Sequence, residues 1–145
     1  MSTVEALETA IDAENAAIFA YGTSTAFIGS ADRGTVAEYI AAHRVRRTEL
    51  DDALAEAGGQ PRPAAAGYTL PEEMTGADSA ATILLGAEED CAQAYFALID
   101  QADGAGVRRL GVDALTDCAR RAAHWRSALG KAPVTVAFPG QPAQS

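Results

Sequence analysis

Apolar side chains recur every three or four positions through four long runs of this chain, the spacing that gathers them on one face of an α-helix. The first run carries Val4, Leu7, Ile11, Ile18 and Ile28. In the second, the inner face reads Val36, Tyr39, Ile40, His43, Arg47, Leu50 and Leu54. The third places Ala81, Leu84, Glu88, Cys91, Tyr95 and Leu98 inward, and the fourth Leu115, Cys118, Ala122, Trp125 and Leu129. Roughly a quarter of the residues are alanine, the strongest helix former. The predicted helices cover about 3–29, 33–57, 76–102 and 106–130, with a tail over 131–145, in one domain spanning 1–145.

The breaks between the runs predict the topology. Ser2 and Glu5 form a capping box at the start of helix 1. Gly29, Ser30 and Asp32 separate helices 1 and 2, and Gly58-Gly59 with Pro61 and Pro63 end helix 2. Thr75 and Asp78 are the expected cap of helix 3, and Asp103, Gly104 and Gly106 form the short break before helix 4. Pro133 closes helix 4; Val134 to Phe138 is expected to be extended and to pack on the bundle, and the last few residues to fray. Short first and third loops make helices 1 and 2, and helices 3 and 4, antiparallel pairs. The linker between helices 2 and 3, about 17 residues, spans over 50 Å at roughly 3.3 Å per residue. A helix of about 26 residues is only about 39 Å long. The linker can therefore return along the bundle and start helix 3 parallel to helix 2. The fold class expected is all-α, a ferritin-like four-helix bundle with a long crossover between helices 2 and 3.

Composition then narrows the role. With 145 residues the chain can bury roughly 70% of its unfolded surface, enough for a real core. Hydrophobic residues at 48% and charged residues at 21% are globular values. A net charge of -9 speaks against nucleic acid and anionic membranes as partners. No stretch approaches about 18 consecutive apolar residues. The N-terminus shows no basic region followed by a hydrophobic run, and with two cysteines a reducing cytoplasm is the expected location.

Polar residues stand on or beside the inward stripes of all four helices. Helix 1 carries Glu14 and Tyr21 in register with Ile11 and Ile18, and helix 3 carries Glu88 between Leu84 and Cys91. Helix 2 offers His43 and Arg47, and helix 4 offers Arg121 and His124. With the crossover, Glu14, Arg47, Glu88 and Arg121 fall in one central layer, within about one 5.4 Å turn. Two carboxylates and two guanidiniums at one level predict the buried pairs Glu14–Arg47 and Glu88–Arg121, since an unpaired buried charge costs several kcal/mol. Tyr21, Tyr39 and Trp125 form a candidate aromatic layer above it.

Several short motifs, in order, resemble an uncharacterised ferritin-like domain family of high-GC Gram-positive bacteria, a domain of unknown function. They are Ala13-Glu14-Asn15-Ala16-Ala17 with Tyr21-Gly22, His43-Arg44 to Arg47, and Tyr68-Thr69-Leu70-Pro71. Glu88-Glu89-Asp90 with Tyr95, Arg121-Ala122-Ala123-His124-Trp125-Arg126 and Phe138-Pro139-Gly140 continue the match over nearly the whole chain. Where the family commonly has histidine after the helix 1 glutamate, this chain has Asn15, so any ligand role of that histidine is absent. The resemblance implies the fold and no activity.

A ferritin-like di-iron centre needs a Glu from each of two helices and a Glu-x-x-His pair from each of the others. Glu14 and Glu88 meet the first requirement. The second fails twice, because Ile40 stands three residues before His43 and Arg121 three before His124. Cys91 and Cys118 sit on inward stripes, where a free cysteine is a small hydrophobe. The expected function is thus a binding or assembly module without metal or other cofactor, more a non-enzyme than an enzyme. A homodimer is the expected assembly, and any small-molecule or protein partner stays unspecified. The alternative is an unconventional metal-binding protein or oxidoreductase holding iron or another divalent metal through Glu14, His43, Glu88 and His124.

Overall fold

The structure, a computed structural model, describes residues 1–142, so the expected fraying of the last residues lies outside it. Four helices account for its regular structure: α1 Thr3–Ser24, α2 Arg33–Glu56, α3 Ala77–Gln101 and α4 Ala105–Ala128, with a 3₁₀ turn at Ser30–Asp32 before α2. At the start of α1, the Ser2 hydroxyl accepts from the Glu5 amide at 3.1 Å while the Glu5 carboxylate accepts from the Ser2 amide at 2.7 Å. Helix α1 stops at Ser24 and not near residue 29. The Ser24 and Thr25 hydroxyls donate to the carbonyls of Tyr21 and Gly22, offering the helix end local partners that compete with its continuation. Ile28 is nevertheless buried, because the chain folds back there. The cap of α3 also differs from expectation: the Ser79 hydroxyl, and not Thr75 or Asp78, accepts from the amides of Thr75 and Gly76.

Cross-helix contacts set the directions. Thr3 at the start of α1 donates to the carbonyl of Gln101 at the end of α3, and Tyr21 near the end of α1 reaches Glu88 near the middle of α3. Tyr21 packs on Tyr39 of α2 while Glu14 meets His43 further along, so α1 is antiparallel to both α2 and α3. Helices α2 and α3 are therefore parallel, joined by the long crossover. That crossover runs alongside α1. Arg62 grips Asp12 bidentately at 2.7 and 2.6 Å, Tyr68 packs on Phe19, and Met74 is buried in the apolar cluster beside the start of α3.

The core divides into two apolar clusters. One gathers Leu7, Ile11, Leu50, Leu54, Tyr95 and Leu98. The other gathers Tyr21, Ile28, Val36, Met74, Leu84 and Trp125. Polar side chains fill the level between them. Helices α3 and α4 approach closely at Gly111, where a Cβ would sit 2.8 Å from Ile99 Cγ1. The tail beyond α4 bends over the groove between these two helices, as Gly140 shows by lying against the Ala92 carbonyl; it contains bends and turns and no strand over Val134–Phe138. Among the described residues no helix is long and apolar enough to cross a membrane.

Candidate functional site

Glu14, His43 and Glu88 are each completely buried, one from each of α1, α2 and α3. His43 bridges the carboxylates: Nδ1 lies 2.5 Å from Glu14 Oε2, and Nε2 lies 2.6 Å from Glu88 Oε1. Tyr95 donates its hydroxyl to Glu14 Oε1 at 2.5 Å, and Tyr21 donates to Glu88 Oε1 at 2.9 Å. Arg121, 7% exposed, extends from α4 and donates Nε to both Glu88 oxygens at 2.9 and 3.1 Å. The indole of Trp125 donates to the Tyr21 hydroxyl at 2.8 Å. Among the described residues, no buried side-chain nitrogen or oxygen lacks a hydrogen-bond partner.

Burial works against a charged imidazole, yet the charges of Glu88 and Glu14 and the hydrogen bonds to them outweigh it and raise His43 to about 10. Burial likewise disfavours a charged Glu88, but the His43 and Arg121 charges hold its carboxyl below the usual range. At neutral pH the Glu88 anion is therefore flanked by two cations, His43 and Arg121.

Glu14 does not pair with Arg47, contrary to the expected layer. Arg47 is half-buried and donates to Asn15 Oδ1 at 3.2 Å. Residues four apart share a helix face, so both His43 and Arg47 point toward α1. His43 stands at the level of Glu14, and Arg47 lies one turn away, where it meets the next residue round α1. His124 does not join the centre either: it lies 3.1 Å from Asp32 in the turn before α2, is one-third exposed, and packs edge-on against Trp125. The rings of Tyr21, Tyr39 and Trp125 do meet, with centroids 6.1, 6.2 and 6.0 Å apart, although Tyr39 is only half-buried.

Spacing alone did not assign Tyr95 to Glu14. Its position seven residues after Glu88 on the same stripe was the available signal. Cys91 was read as a hydrophobe, but its sulfur, a Glu14 oxygen and a His43 nitrogen lie within 4.8 Å of one another.

A dinuclear iron centre does not fit these donors. Two carboxylates are present, all four of their oxygens already accept hydrogen bonds, and a guanidinium occupies the α4 side.

Comparisons with solved structures agree with this architecture. A conserved hypothetical protein, rv2844, from Mycobacterium tuberculosis is similar with a TM-score of 0.85 and 33% identity, over 88% of this chain and 96% of that one. Dps from Listeria innocua has a TM-score of 0.79 at 15% identity, over 92% of this chain and 98% of its own. Dps from Listeria monocytogenes has a TM-score of 0.78 at 15% identity, over 92% and 97%. These Dps likenesses show the ferritin-like fold alone. No curated protein matches the sequence. The model of a domain of unknown function, DUF4439, matches residues 6–143, and the chain belongs to that family.

Proposed function

We propose that this chain is a ferritin-like bundle in which a self-neutralised polar network stands in place of a di-iron centre, and that it works as a non-enzymatic binding or assembly module. One observation carries the proposal: every oxygen of the two central carboxylates is engaged by His43, Arg121, Tyr21 or Tyr95. Dinuclear iron chemistry needs those oxygens free and at least two further carboxylates. Phe96 and Phe138, 39% and 74% exposed around one shallow depression, supply apolar surface for self-association as a homodimer. Two buried free thiols suit a reducing cytoplasm, and the mycobacterial relative supports an origin in high-GC Gram-positive bacteria. The test loads tag-free protein with ferrous iron in air, dialyses it against a mild chelator and counts iron per chain. Well under one iron per chain is the expected result. Two irons per chain would overturn the proposal.

A further inference from the structure

We propose that Glu14, His43 and Cys91 together form a site for one soft divalent cation of the zinc type, naming the ligand of the binding module on which this inference rests. A carboxylate oxygen, an imidazole nitrogen and a thiol sulfur, contributed by three different helices, lie within 4.8 Å of one another, and all three residues are fully buried. Zinc takes oxygen, nitrogen and sulfur donors, at about 2.0 Å to N or O and about 2.3 Å to S, and where three come from the protein a water completes the tetrahedron. Thiolate and imidazole select against magnesium and calcium, which take oxygen ligands.

Atoms around the site prepare it for that ion. His43 offers Nδ1 toward Glu14 while Nε2 faces Glu88 at 2.6 Å. With a cation at Nδ1, the Nε2–H still donates to Glu88, the carboxylate behind a metal-bound histidine that orients the ring and strengthens the ligand. Arg121 continues to neutralise Glu88. The ion takes the place of the proton between Nδ1 and Oε2, opening that 2.5 Å contact to about 3.3 Å, the separation of two tetrahedral ligands at 2.0 Å.

A groove of about 560 Å³ beneath the tail, between α3 and α4, is lined in part by Glu88 and Cys118 and by none of the three ligands.

Cobalt(II) reports the site directly, because thiolate ligation gives a near-ultraviolet charge-transfer band. Titrating reduced, chelator-treated full chain should bind one cobalt, develop that band and lose it on adding zinc. Cys91→Ser should remove the band and weaken zinc binding at least about 100-fold. Glu88→Gln should keep the band and weaken zinc binding about 10–100-fold. Circular dichroism of each metal-free variant checks the fold. Should Cys91→Ser not fold, Cys91→Ala takes its place, with the same loss of the band expected. Failure to bind cobalt, or a band that survives the Cys91 substitution, overturns the site and leaves the module without di-iron intact. Two irons per chain without a thiolate band overturns that underlying reading too.

Discussion

His43 keeps a proton that burial alone would expel, because each ring nitrogen faces a carboxylate. Its folded value, about 10, stands above the ordinary 6.5. The charged ring therefore contributes its full stabilisation below about pH 6.5 and loses it as the pH rises through about 10. Glu88 acts in the opposite sense: its folded value is lowered from 4.5, so its contribution is present above that value and is lost in acid. Thermal melts from pH 7 to 10 should show a falling Tm in the wild type. In His43→Gln, already destabilised by about 3–5 kcal/mol because two buried carboxylates lose their shared cation, that alkaline slope should flatten. A slope unchanged by the substitution would place the titrating group elsewhere. Arg47→Ala should cost about 1–3 kcal/mol by urea denaturation, since it takes the donor from the buried Asn15 amide oxygen.

At the scale of elements, the α3–α4 contact depends on both charge and close approach. Glu88→Ala strands Arg121 beside a lost carboxylate and should cost about 3–5 kcal/mol, read as a lower urea midpoint. Glu88→Leu with Arg121→Met removes one anion and one cation together and should recover part of that loss, the rest remaining because His43 Nε2 and the Tyr21 hydroxyl lose their acceptor. Equal midpoints for Glu88→Ala and wild type would refute a buried pair. Further along the groove, Gly140 adopts a φ of +77°, and a Cβ there would lie 2.3 Å from the Ala92 carbonyl oxygen. Gly140→Ala should lift the tail off α3 and α4, detected as faster hydrogen exchange over residues 133–140 with little change in the global midpoint.

Across the whole molecule, the polar layer separates two apolar clusters and spans all four helices. Each helix contributes one charge: Glu14 from α1, His43 from α2, Glu88 from α3 and Arg121 from α4. A bundle assembled with any one helix rotated would bury an unpaired charge, which ties the helix registers to one arrangement. The crossover is part of that arrangement, because Arg62, Tyr68 and Met74 hold it along α1. If the chain assembles through the Phe96–Phe138 surface, Phe138→Ser should shift the mass measured by light scattering from dimer to monomer.

Helices, their approximate limits and the parallel placement of α3 were legible in the sequence, because period, caps and linker length are local quantities. Glu14 and Glu88 were legible too, since a carboxylate among residues such as Ile11, Leu84 and Cys91 breaks an apolar stripe. Local information could not choose between His43 and Arg47 as partner of Glu14. Both occupy the same face of α2, one turn apart, and about 5.4 Å of axial placement decides which one meets the carboxylate. That placement comes from packing Leu50 and Leu54 against Leu7 and Ile11, and Val36 beside Tyr21 and Ile28. The same packing brings the Cys91 sulfur to Glu14 and His43, and takes His124 to Asp32. Sequence alone determined which faces turn inward; tertiary packing decided which inward atoms touch, because helix rotation and axial shift are set by contacts between segments far apart in the chain.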